Sequence, residues 1–80
     1  MDRQAIVDGV SKVFAENLGM KDVSEATRLF QDLELDSIQQ LTLVVELENH
    51  FRIRFDDADE AGIETVGDVV NLLAKRLEAP

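Results

Sequence analysis

An Asp-Ser pair at 36–37, a lone histidine at 50 and a run of carboxylates from 56 to 60 are the side chains here whose types could do chemistry. Nucleophilic catalysis needs a serine within hydrogen-bond reach of its base. Ser37 and His50 lie thirteen residues apart on one predicted helix, which separates them by roughly 20 Å at 1.5 Å per residue. The chain also has no cysteine, so no catalytic residue is assigned, His50 reads as a surface residue, and the protein is not read as an enzyme. Asp57-Ala58-Asp59-Glu60-Ala61-Gly62 places acids and a glycine as a calcium loop would. Its fifth position is Ala61, however, and its twelfth is Asp68 rather than glutamate. No metal site is assigned, and only weak, nonspecific divalent binding is expected of these acids. Asp36-Ser37 by itself is ordinary helix-start chemistry, an Asp cap followed by serine in the first turn.

The elements that position these residues must fit within 80 residues, read as a single domain over 1–80. Without cysteine there is no disulfide or thiolate metal site to brace them, which is compatible with a cytoplasmic protein. No apolar signal core and no apolar run near 18 residues occurs, so neither secretion nor stable membrane insertion is expected. The net charge is −9, and residues 22–60 hold eleven of the seventeen acids against three bases. Such a surface repels nucleic acid and anionic lipid. It either steers the chain toward basic patches on protein partners or serves simply to keep it in solution.

Helical periodicity dominates, and nothing alternates long enough for a strand. Ile6, Val10, Val13, Phe14 and Leu18 predict a first helix over about 3–18, with Asp2 as cap and Gly19 as stop. Residues 20–36 lack a period; a connection this long is usually functional or pinned by its own side chains, here Val23, Leu29, Phe30, Leu33 and Leu35. A second helix is expected from Ser37 to Phe51, capped by Asp36 with Gln39 completing a capping box. A short turn of helix over about 56–61 follows, its first turn bracketed by Asp57 and Glu60 and stopped by Gly62. The last helix starts at Thr65 with Asp68 in the box position, and buries Val66, Val69, Val70, Leu73 and Leu77. The fold class is therefore all-α: an antiparallel four-helix bundle of three longer helices and a short third, with a long loop between helices one and two. On helix two, Leu43, Val44, Leu47 and Phe51 fall on one face. Ile38, Leu41 and Val45 fall on another, roughly 120° away at 100° per residue. Either the helix packs on two sides, or the second stripe stays open for partners.

Leu33-Glu34-Leu35-Asp36-Ser37-Ile38-Gln39-Gln40-Leu41, leading into Leu43 to Phe51, resembles the acyl carrier protein family, whose attachment site reads Asp-Ser-Leu or Asp-Ser-Ile at the start of helix two. Thr27 to Leu33 upstream, and Phe51-Arg52-Ile53, Asp56-Asp57 and Thr65 to Val70 downstream, extend the similarity over nearly the whole chain. The resemblance implies that Ser37 receives 4′-phosphopantetheine from coenzyme A through a separate transferase. The thiol of that arm then holds acyl intermediates of fatty-acid, polyketide or related biosynthesis as thioesters. Asp36 would cap the helix and present Ser37. Ile38, Leu41 and Val45 would be the recognition stripe, with Asp36, Glu48 and Asp57 meeting basic docking patches on loading, synthase and transferase enzymes. Leu47, Phe51 and Ile63 would shelter an acyl chain or simply form core. A monomer is expected. Departures are also visible: Glu34 stands where many members have glycine, Gln39 and Thr42 replace frequent acids, and Arg52 and Arg54 add positive charge, which points to a specialised carrier. Aminoacyl carriers of the same fold, D-alanyl carriers among them, and an unmodified interaction module remain alternatives.

Overall fold

Asp2 is extended, and its side chain accepts the Ala5 amide at 2.8 Å, which starts α1 over Arg3–Asn17. The helix ends one residue earlier than its pattern suggests. Gly19 takes φ +66, and the Leu18 and Met20 amides both donate to the Phe14 carbonyl, so Leu18 closes the helix rather than extending it. The computed structural model describes residues 2–78; Met1, Ala79 and Pro80 lie outside the described residues. α2 spans Ser37–Phe51, α3 Asp57–Ala61 and α4 Val66–Glu78. Among the described residues there is no strand, only an isolated antiparallel bridge between Arg28 and Thr65.

α1 packs against both α2 and α4. Its Ile6, Val10, Val13 and Phe14 meet Leu43 and Leu47 of α2 and Val69, Val70 and Leu73 of α4 in one buried core. Leu77 is only partly buried at its edge. α1 comes close to α2 at Gly9, where a Cβ would stand 2.7 Å from Phe51 Cζ. A glycine inside a helix weakens it, and one on the core stripe signals such a close approach.

The aperiodic connection is tied down by backbone as much as by side chains. The amides of Leu29, Val66 and Gly67 donate to the carbonyls of Glu64, Thr27 and Glu25 at 2.8, 2.9 and 2.8 Å, stitching the loop to the start of α4. Leu29 and Leu35 are buried as expected, and Val23 and Leu33 partly so. Phe30 departs from the expectation at 41% exposed. The Asp32 and Leu33 amides both fold back onto the Arg28 carbonyl, and this turn leaves Leu29 buried and Phe30 facing out.

α3 adds a detail to the sequence reading. Asp57 and Glu60 lie in its first turn as expected, and the capping box that precedes them is Asp56 with Asp59. Asp56 is extended, so its carboxylate reaches the Asp59 amide at 2.8 Å; Asp57 is already helical and cannot fold back in that way. Arg76 of α4 pairs with Asp56 and Asp59, fastening α3 to the bundle. At α4, Thr65 is the cap rather than the first helical residue. Its Oγ1 accepts the Asp68 amide at 3.0 Å while Asp68 Oδ2 accepts the Thr65 and Glu64 amides.

Candidate functional site

The end of the pinned loop sets the entry to α2. Leu35 is buried and its amide donates to the Leu29 carbonyl at 3.2 Å, so the chain is fixed two residues before Ser37. Glu34, one residue earlier, turns the chain through φ +53, the left-handed region that glycine tolerates and other residues resist. Asp36 then adopts φ −87, ψ 179. Its Oδ1 accepts the Gln39 amide at 2.7 Å, and Gln39 Oε1 accepts the Asp36 amide at 3.1 Å. The capping box expected from the sequence is therefore closed, and its Asp36 carboxylate remains exposed.

Ser37 is the first residue of α2 and is exposed. The first amides of a helix have no partner within it, and the helix dipole adds positive potential there. A phosphodiester on this hydroxyl would thus be favoured by roughly 0.3–1 kcal/mol for an exposed site. His50 lies at the opposite end of the same helix with its ring 4.8 Å from that of Phe51, far from any pairing with Ser37.

The two faces of α2 are resolved in favour of an open second stripe. Leu43 and Leu47 are fully buried, and Val44 and Phe51 nearly so. Ile38 is 76% exposed, Leu41 61% and Val45 40%. Burying a Leu or Ile side chain contributes roughly 1.5–3 kcal/mol, so the bundle forgoes most of that stabilisation along a stripe that begins beside Ser37. Thr42, a neutral side chain, offers this surface no charge, and its Oγ1 donates back to the Ile38 carbonyl at 2.9 Å.

The acids assigned to partner contacts differ from one another. Asp36 and Asp57 are exposed at the starts of α2 and α3. Glu48 is half-buried, and its Oε2 accepts the Phe55 amide at 2.8 Å, fastening α2 to the segment before α3; this second task was invisible in helical spacing. Leu47, Phe51 and Ile63 all belong to the buried core. Beside Ile63, a groove of about 410 Å³ opens between the loop and the start of α4, lined by Arg28, Phe30, Gln31, Ala61, Ile63, Glu64 and Thr65. Arg28 on its rim pairs with Asp32. That hydrogen bond, first of all, holds the Asp32 carboxyl below the usual carboxylate range.

Comparison with known proteins bears on this geometry directly. Residues 8–73 match the family model described as a phosphopantetheine attachment site. The chain is 38% identical to an acyl carrier protein of Thermotoga maritima, with 94% of this chain and 95% of that one covered. It is 40% identical to an acyl carrier protein of an Exiguobacterium species, covering 96% and 100%. The crystal structure of an acyl carrier protein from Thermotoga maritima superposes with a TM-score of 0.81 at 29% identity, covering 98% of this chain and 93% of that one.

Proposed function

The chain belongs to the acyl carrier protein family, and from that premise we propose that Ser37 is the residue to which 4′-phosphopantetheine is attached. The protein is a phosphopantetheine-bearing carrier of acyl intermediates, and family members are carriers rather than catalysts. The observation that carries the assignment of Ser37 is its position: an exposed hydroxyl at the first residue of a capped helix, immediately beside an exposed apolar stripe.

The residues at this position suit the group. The start of α2 favours the phosphodiester, and the exposed serine leaves a transferase room to reach the hydroxyl. When attached, the group supplies the terminal thiol that this cysteine-free chain lacks. Asp36 holds the first turn of α2 and so fixes the backbone on which the hydroxyl is presented. Ile38, Leu41 and Val45 form the apolar centre of the docking face, with Asp36, Glu48 and Asp57 as charges around it. Synthases and transferases that serve the carrier present basic groups to those acids, and long-range attraction speeds their encounter. Among the described residues no helix is long and apolar enough to cross a membrane. We read residues 1–80 as one carrier domain that works in the cytoplasm as a monomer.

The test is intact mass after incubation with coenzyme A, magnesium and a broad-specificity phosphopantetheinyl transferase. The expected result is a gain of one phosphopantetheine in the wild type and none in Ser37→Ala. A gain that persists in Ser37→Ala moves the attachment point elsewhere, and no gain in folded wild type sinks the assignment.

A further inference from the structure

The chain has five arginines. Arg3 faces Glu25, Arg28 faces Asp32, and Arg76 lies between Asp56 and Asp59. Arg52 and Arg54 differ: among the described residues neither forms an ion pair, although both lie in the most acidic part of the sequence. Both line one groove of about 650 Å³, together with Val45, Glu48, Asn49 and Ile53. Val45 is also the last member of the exposed apolar stripe of α2, so the groove continues the docking face at the end remote from Ser37. Among the described residues Glu48 is the only acid that lines it, and one of its oxygens is already engaged by the Phe55 amide. Arg52 moreover holds φ +57 as the cap of α2, where glycine would sit without strain. The fold thus accommodates an unfavourable backbone conformation at a residue whose charge is not used within the bundle.

We propose that this groove is a second, basic half of the docking face, occupied by a partner-protein segment that presents an apolar side chain to Val45 and Ile53 and carboxylates to Arg52 and Arg54. The inference rests on the reading of Ile38, Leu41 and Val45 as the docking face. Asp36 and Arg52 are separated by about 24 Å along the helix axis, some three Debye lengths at physiological ionic strength. Asp36 is therefore read independently of the arginines: basic groups lie opposite Asp36 and acidic groups opposite Arg52 and Arg54, with half-buried Glu48, bonded to the Phe55 amide, meeting a basic group at the boundary between them. A partner surface basic along its whole length would meet like charge at Arg52 and Arg54, and such repulsion is a means of excluding wrong partners.

The test uses the full chain loaded with phosphopantetheine, 15N-labelled, and two synthetic peptides on one leucine-bearing scaffold, one flanked by glutamates and the other by lysines. Amide shifts are followed during titration at physiological ionic strength, for the wild type and for the double variant Arg52→Gly, Arg54→Ser. Glycine suits the left-handed cap, so the variant keeps the fold, which its spectrum verifies. The glutamate peptide is expected to move Val45, Asn49, Arg52, Ile53 and Arg54, and the double variant to weaken its binding roughly 3–10-fold. The lysine peptide is expected to move Asp36 to Leu41 equally in both proteins. If the lysine peptide binds there but the glutamate peptide leaves the groove unmoved, or binds the double variant equally well, the basic half is refuted while the docking face stands. If neither peptide touches α2, the docking face itself fails, and this inference with it.

Discussion

Replacing Glu34 by glycine should stabilise the bundle, although it removes a side chain from the loop that delivers Ser37. Glu34 holds φ +53, and a residue with a β-carbon there costs roughly 1–2 kcal/mol relative to its ordinary conformations. Glycine removes that strain but enlarges the freedom of the unfolded chain, which returns about 0.4–1 kcal/mol. The net expectation is a gain of about 0.5–1 kcal/mol. For a domain of this size that raises Tm by roughly 2–8 °C. Glu34 is exposed in a chain of net charge −9, so loss of its charge could also stabilise by relieving repulsion. Glu34→Ala separates the two effects, because it removes the charge and keeps the β-carbon. Urea and thermal unfolding followed by circular dichroism, on wild type and both variants, give the comparison. Glycine should exceed alanine by most of the expected gain. Equal stabilisation by alanine and glycine, or destabilisation by glycine alone, would refute the backbone argument.

Other expectations follow from single contacts. Gly67→Ala places a Cβ 2.9 Å from the Glu25 carbonyl, a backbone atom that cannot rotate away; a loss of about 1–2 kcal/mol is expected by urea titration, with faster hydrogen exchange at the loop amides joined to α4. Asp68→Ala removes the carboxylate that accepts the Glu64 and Thr65 amides and should cost about 1 kcal/mol at neutral pH. Those amides hold the Asp68 carboxyl below its usual range. Its contribution is therefore present above the unfolded value near 3.9 and is lost as pH falls through the lower folded value, so the gap between wild type and variant should close below about pH 4. Leu41→Ala should change stability by less than about 0.5 kcal/mol yet lower the kcat/KM of phosphopantetheinyl transfer roughly 5–10-fold. Leu47→Ala, on the buried face, should instead cost about 2–5 kcal/mol of stability.

Much of the candidate site is legible in the sequence because it is built from local rules. A carboxylate before the first turn and a glutamine three residues on close the capping box at Asp36 and Gln39 by backbone geometry that any helix shares. The two stripes of α2 follow in the same way from a fixed rotation per residue. Features stay open where a local rule admits two neighbours. Asp56 and Asp57 could each cap α3, and only the extended backbone at Asp56 decides between them. Leu29 and Phe30 are equally apolar, and only the direction of the turn sends one into the core.

By itself, the sequence determined the four helices, the caps of α1 and α2, the core-facing stripe of each longer helix and the seat of Ser37 at the start of α2. Those follow from interactions among residues three or four apart, which no distant part of the chain needs to supply. Tertiary structure alone decided that Ile38, Leu41 and Val45 stay uncovered, that Glu48 holds the Phe55 amide, that Gly9 admits the Phe51 ring, and that Arg52 and Arg54 share a groove. Each of these depends on which surface another element happens to cover. Helical periodicity can mark two apolar faces, but it carries no information about which of them finds a neighbour.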